Sequence, residues 1–421
     1  MTQPANFCCP AHDPCPRHLA APAALAGRDR ARAIDGVDRE MLDECLDTRG
    51  ISRRAILTAS AGAAMFVQGA AGAAPALAAA ARHAMAPLPA GKLHELPSTP
   101  QTVKVGAMDP ATPVVLEIES GDVVHYPNTW VNWANEAKYG MAFGEREAIR
   151  KRYPAGPYSL VGPVAVKGAE PGDVIECRMI RLKPIDWGWN STPKGMGALP
   201  DAFDQPYLHY LKMDAERRFA DFAQGVRIPL KPIQAVMAVQ PAGDKPVSGI
   251  LSGRYGGNIS LRDLTEGTSL FLGVEVPGGR VWTGDSHAAQ GDGVVDQTAI
   301  ETAMEDLRIQ YILHKKVAIS TPVAETHDAW IVLAYGATVD DALAASIRQM
   351  ITWLSGATGL TGPDVYALAS IAGSFRITQY ANQKGSVYTN SPLKAVHGVL
   401  PKSIFDPARL DQISRSLRPS V

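Results

Sequence analysis

The chain has 421 residues, 46% of them hydrophobic and 20% charged, with a formal net charge of -1. A chain this long can bury a sizeable core without covalent staples, and its near-neutral charge gives no electrostatic case for a nucleic acid or an anionic membrane as partner. Its 38 glycines and 32 prolines suit a β-rich fold with many turns.

Cysteine usage separates the first 80 residues from the rest. Cys8, Cys9, Cys15 and Cys45 precede residue 50, and Cys177 alone lies beyond it, so the body can hold no internal disulfide. Cys8, Cys9, His12, Cys15 and His18 have the short spacing of a soft-metal site, but Pro10, Pro14 and Pro16 interrupt them and favour a discarded leader. Arg53 and Arg54 directly precede an Ala/Gly-rich stretch without charge until Arg82, the order of a twin-arginine export signal. Ala76 and Ala78 offer an A-x-A cleavage site. A membrane anchor is the weaker alternative, because small side chains gain little from lipid. Residues 1–81 are therefore expected to be a leader that engages the twin-arginine machinery, which places the mature protein in the periplasm or the medium. Residues 82–101 are expected to be a linker, 102–406 the functional body and 407–421 a tail.

The body opens with period-two patterns. Residues 114–126 read as strand, Gly-Asp turn, strand. Residues 163–184 repeat this, with Val174, Glu176, Arg178 and Ile180 alternating against Ile175, Cys177, Met179 and Arg181. Residues 269–285 form a third hairpin-like unit turning at Pro277-Gly278-Gly279, and 307–313 alternates again. The period then changes. Thr338 to Asp341 is a capping box before Leu343, Ile347, Met350, Ile351 and Leu354 at helical spacing. Thr361 to Asp364 caps a shorter helix, and 375–381 reads as a closing strand. The fold class is mainly β with an α+β C-terminal part, the β portion being a sandwich or barrel.

The densest polar cluster is 283–293, with Asp285, His287 and Asp292 among glycines. Residues two apart in an extended segment share a face, so Asp285 and His287 aim at one point, and the glycines let Asp292 fold back toward it. A carboxylate beside an imidazole suits zinc or a related divalent metal; a polar surface loop is the competing reading. Asn258, after Gly256-Gly257, could hold a carbonyl or an oxyanion, or simply sit in a turn. Glu301 enters a strand and is either a buried acid or a face-out glutamate. His125 leaves a strand beside Tyr126, Trp130 and Trp133, which line a pocket or belong to the core. No G-x-S-x-G elbow, dinucleotide fingerprint or phosphate loop is present.

Three segments in order, GPVAVKGAEPGDVIECR (162–178), GGNISLRDLTEGTSLFLGVEVPGG (256–279) and GDSHAAQGDGVVDQTAIE (284–301), resemble the acetamidase/formamidase family. The likeness continues through 334–354 to 400–405 and covers about residues 100–406. It implies jelly-roll-like β domains, a divalent metal, and hydrolysis of small non-peptide amides or lactams. Three positions depart from the family's pattern. Ser260 stands where Asp is usual, Val294 where Glu is usual, and Tyr158 near a customary His.

On this reading Asp285 and His287 hold the metal, Asp292 and Glu301 are catalytic, and Asn258, His125 and Tyr158 contact a small amide substrate. A homodimer is compatible with the sequence. The alternative is a catalytically silent exported binding protein on the same fold, which the departures at Ser260, Val294 and Tyr158 favour.

Overall fold

The structure, a computed structural model, describes residues 91–380 and 387–419. The expected twin-arginine leader, its Cys/His cluster and residues 82–90 of the expected linker lie outside the described residues. Two large open sheets face each other. One runs Leu93–Glu95, Val123–Pro127, Met304–His314, Val174–Pro184, Ser269–Gly273, Val323–Glu325, Ala329–Gly336, Lys394–Pro401, Ser374–Gln379. The path of the other runs Ser252–Gly253, Gly256–Asn258, Ile233–Ala238, Val281–His287, Glu301–Thr302, Trp187–Thr192, Tyr207–Lys212. Off that path, Ser159–Val166 pairs with Val281–His287 and carries Val103–Val105 and Leu116–Ile118. Between the sheets lies an apolar core that draws Ile118, Val164 and Val281 from the second and Ile175, Leu270 and Ile309 from the first. The mainly β class with an α+β C-terminal part is thus observed, as a sandwich of open sheets.

The three apparent hairpins are not hairpins. Leu116–Ile118 and Val123–Pro127 belong to different sheets, as do Ser159–Val166 and Val174–Pro184, and Ser269–Gly273 and Val281–His287. Each turn carries the chain across the sandwich. Two apolar runs around a Gly-rich turn look the same whether the strands pair side by side or face to face. Residues 93–95, expected as linker, add a parallel edge strand to Val123–Pro127.

The C-terminal helices form where the caps predict. Thr338 caps Val339–Thr358 by accepting from the Asp341 amide, and Gly359 ends it at φ 73°. The buried stripe is Ala342, Ser346, Met350, Trp353 and Leu354, about one position round from the expected one, with Leu343, Ile347 and Ile351 half-buried. Thr361 caps Gly362–Ala372. The expected tail is instead a docked helix, Pro407–Leu417, with Leu410, Ile413 and Leu417 buried against the same core as Phe271, Trp330 and Met350. These helices cover the side of the first sheet that carries Glu176 and Arg178, so both are buried. No described helix is long and apolar enough to cross a membrane.

Candidate active site

Asp285 and His287 end the Val281–His287 strand, and Glu301 sits directly across the ladder from His287. The pairing with Ile233–Ala238 matches Ser286 with Gln234 and Gly284 with Val236 but skips Asp285, whose φ is 55°. This left-handed residue interrupts the strand, yet it turns its carboxylate toward His287: Oδ2 lies 3.4 Å from His287 Nε2. Glu301 Oε1 lies 3.2 Å from the same nitrogen. All three residues are buried, and their ligand atoms lie within 4.8 Å of one another.

The cluster is poor in hydrogen bonds where it converges. Asp285 Oδ1 and His287 Nε2 are buried without a hydrogen-bond partner, the neighbouring oxygens being off the donor direction. The far side of the imidazole is well fixed. Gln290 Nε2 donates to the Ser260 carbonyl, which orients that amide so that its Oε1 accepts from His287 Nδ1–H at 2.8 Å. Nε2 is thereby left as the nitrogen on the carboxylate side, as in a ligating histidine whose other nitrogen is held by a neighbour. Two carboxylates and one imidazole with unmatched buried atoms form a set that fits a divalent cation.

The electrostatics agree. Burial disfavours the imidazolium, but Glu301 and Asp285 overbalance it and hold the His287 pKa well above the usual range. Burial and the Glu301 charge push Asp285 up to about 7. Glu301 stays below the usual carboxylate value despite burial, because His287 and an amide donation from Ala299 favour its charged form. Without a cation, the cluster carries its compensating positive charge as a proton on His287.

A small cavity lies over the cluster, lined also by Tyr158, Asn258, Ser260, Val294, Gln297 and Gln379. Asn258 Nδ2 donates to Tyr158 Oη at 3.0 Å and its Oδ1 accepts from Ser260 Oγ at 2.9 Å. Gln379, from the edge of the other sheet, donates to the Asn258 carbonyl at 3.0 Å. Burial, then Asp285 and Glu301, keep Tyr158 protonated far above its ordinary pKa. Since Asn258 already donates to this hydroxyl, the phenolic hydrogen is left to donate elsewhere. Backbone strain gathers here: Ser260, Asp285, Val294 and Gln297 all have positive φ (41°, 55°, 43° and 95°). For a β-branched residue such as Val294 this is a true outlier, and such strain persists where surrounding structure enforces it. Tyr158, Ser260 and Val294, the three positions singled out as departures in the sequence, all line this cavity.

Two expected site residues lie elsewhere. His125 is on the first sheet, with Nε2 3.2 Å from Asp306 and Nδ1 3.7 Å from Glu95, and lines neither this cavity nor the one beside it. Asp292 does not fold back onto the cluster. Its carboxylate lies 3.3 Å from Arg262 and 4.0 Å from Arg376, and Gly293 next to it ties the loop to Thr378 and Tyr380. Glycine freedom in 288–293 was satisfied by pairing outward with that strand. Gln290, Gln297, Gln379 and Asn132, whose Nδ2 donates to Glu301 Oε2 at 3.4 Å, were missed. Asn132 and Gln379 lie in remote segments with no spacing signal, whereas Gln290 stands within the 283–293 cluster, three residues from His287.

A model of the Acetamidase/Formamidase family matches residues 107–249 and 242–407. A Schizosaccharomyces pombe relative is 28% identical over 193 residues, 32% of this chain and 47% of that one. A protein named formamidase from Methylophilus methylotrophus is 26% identical over 221 residues, 39% of this chain and 54% of that one. The chain thus spans about half the length of the curated relatives it matches. A solved acetamidase from Bacillus halodurans aligns with TM-score 0.66 and 25% identity over 74% of this chain and 98% of that one.

Proposed function

The chain belongs to the acetamidase/formamidase family, and we propose that it hydrolyses carbon–nitrogen bonds in small non-peptide amides at the Asp285–His287–Glu301 cluster. The observation that carries this reading is the convergence of three buried ligand groups, two of them with unmatched atoms, beneath a small polar cavity. Asp285, His287 and Glu301 Oε1 would hold a divalent metal, and we assign zinc on the donor set. Bound there, the metal would supply Lewis acidity and make a water acidic enough to react near neutral pH. Tyr158 donates its phenolic hydrogen to the amide carbonyl oxygen as charge develops, and Asn258 holds that hydroxyl in place. Glu301 presents its second oxygen toward Asn132, takes the proton of the attacking water and returns it to the departing amine.

The test is a panel of small amides and lactams assayed for ammonia or amine release, with metal analysis of the same sample. Turnover with about one metal per chain is expected. No turnover and no metal would overturn the reading and leave a binding protein on this fold. The same panel run on a Ser260→Asp, Val294→Glu double variant should show raised metal affinity or turnover, because both side chains enter the cavity. No gain would mean that the site is adapted to its own substrate.

We also infer export, on Arg53 and Arg54 before the uncharged stretch. Replacing both with Lys should hold the precursor in the cytoplasm, and equal export of that variant would remove the inference.

A further inference from the structure

Beside the inner cavity lies a second one, walled by Trp133, Trp189, Pro157, Asn132 and Tyr388. Tyr158, Gln297 and Glu301 line both. Into its wall projects Arg146, from the helix Phe143–Arg150. Arg146 is 3% exposed. Its guanidinium carbon sits 4.4 Å from the Trp189 ring centre, 5.2 Å from that of Trp133 and 5.7 Å from that of Tyr210. Nη1 reaches the Tyr210 hydroxyl at 3.5 Å, and Nη2 is buried with no hydrogen-bond partner.

Arg146 is therefore a desolvated cation held by aromatic faces, with no carboxylate at ion-pair distance among the described residues. Its neighbour one turn on, Arg150, shows the contrast: it pairs with Glu147 and with the Tyr388 hydroxyl. Glu301, which also lines the cavity, favours the charged Arg146 from beyond ion-pair distance, but a buried guanidinium whose N–H groups no acid reaches is unfavourable unless something else supplies the anion. Rings hold a guanidinium in place but do not satisfy its in-plane N–H groups. The wall is also strained: Trp133, Ala134 and Asn135 are consecutive non-glycine residues with φ of 57°, 53° and 64°. That left-handed turn sets the Trp133 ring over Arg146, and its indole nitrogen donates to Tyr388 Oη at 3.2 Å.

We propose that the outer cavity binds a carboxylate on the substrate, with Arg146 Nη2 as its donor, so that the preferred substrates are amides carrying a carboxylate a few bonds from the scissile C–N bond. One free guanidinium edge matches a monoanion better than a phosphate dianion. The proposal rests on the inner cluster being the hydrolytic centre.

The test compares succinamate with butyramide, which share a chain length and differ in carboxylate against methyl. Turnover and calorimetric binding are both measured on the full chain. Wild-type protein should favour succinamate by about tenfold or more in kcat/KM and in affinity, the usual weight of a charge-assisted hydrogen bond. Arg146→Gln should bring the ratio close to one, and Arg146→Lys should keep part of it, since the charge remains and the fork is lost. Equal handling of the two amides by wild-type protein overturns the proposal while leaving the amidase reading intact. Arg146-dependent binding of succinamate without hydrolysis of any amide keeps the carboxylate site at Arg146 but overturns the hydrolytic reading and the substrate preference built on it. If Arg146→Gln does not fold, the wild-type ratio and Arg146→Lys decide.

Discussion

Replacing His287 with alanine should remove bound metal and amide turnover together, while the protein stays folded. The imidazole is the one nitrogen ligand between two buried carboxylates. Without it Asp285 and Glu301 repel each other in a buried site, and proton uptake between them becomes the cheapest relief. Glu301→Gln should behave differently. It keeps Asp285 and His287, so metal binding weakens, while turnover falls by about 10² to 10⁴, the usual weight of general acid–base catalysis. Asp292→Asn should change little, because that carboxylate faces Arg262 and Arg376 rather than the cluster. Metal content by elemental analysis and turnover on one accepted amide separate the three. Loss of turnover in Asp292→Asn equal to that in Glu301→Gln would move the proton carrier back to the loop. Full metal retention in the His287 variant would place the metal elsewhere.

Part of this site was legible before any coordinates. Asp285 and His287 stand two apart, and a two-residue period brought them to one point even though Asp285 leaves the strand conformation. Glu301 was visible as an acid entering a strand. Its position opposite His287 depends on ladder register, which a single sequence does not state. Asp292 was misplaced because glycines permit a loop to fold either way, and the edge strand at Thr378 offered the stronger partner. The helix caps at Thr338 and Thr361 were readable because capping is local chemistry. The sheet-crossing turns were not, since hairpins and arches share one local signal. Arg146 gave no sign at all: its environment is assembled from residues 133, 189 and 210, far apart in the chain.

Arg418→Ala should lower the melting temperature at pH 7 on the order of 10 °C, which follows from about 3–5 kcal/mol for breaking a buried ion-pair network. Residues 407–421 were expected to be a tail, yet Arg418 is 3% exposed and bridges two sheet carboxylates. Its Nη2 lies 2.7 Å from Glu176 Oε1 and 2.6 Å from Glu325 Oε2. Glu176 is fully buried and also accepts from Arg178 at 2.6 Å, from Ser269 at 2.7 Å and from His314 at 2.8 Å. Burial alone would raise its pKa, but His314, Arg418 and Arg178 hold it well below the carboxylate range. A depressed folded value contributes stability that is fully present above the unfolded carboxylate pKa of about 4.3, begins to fall below it and is lost as pH drops through the folded value. The deficit of Arg418→Ala should therefore be largest at neutral pH and narrow below about pH 4, where the wild-type protein itself loses the contribution. Thermal unfolding at pH 7 and at pH 3.5–4 measures both. A variant that melts with the wild-type protein at pH 7 would show that the Pro407–Leu417 helix is held by its apolar face alone, through Leu410, Ile413 and Leu417.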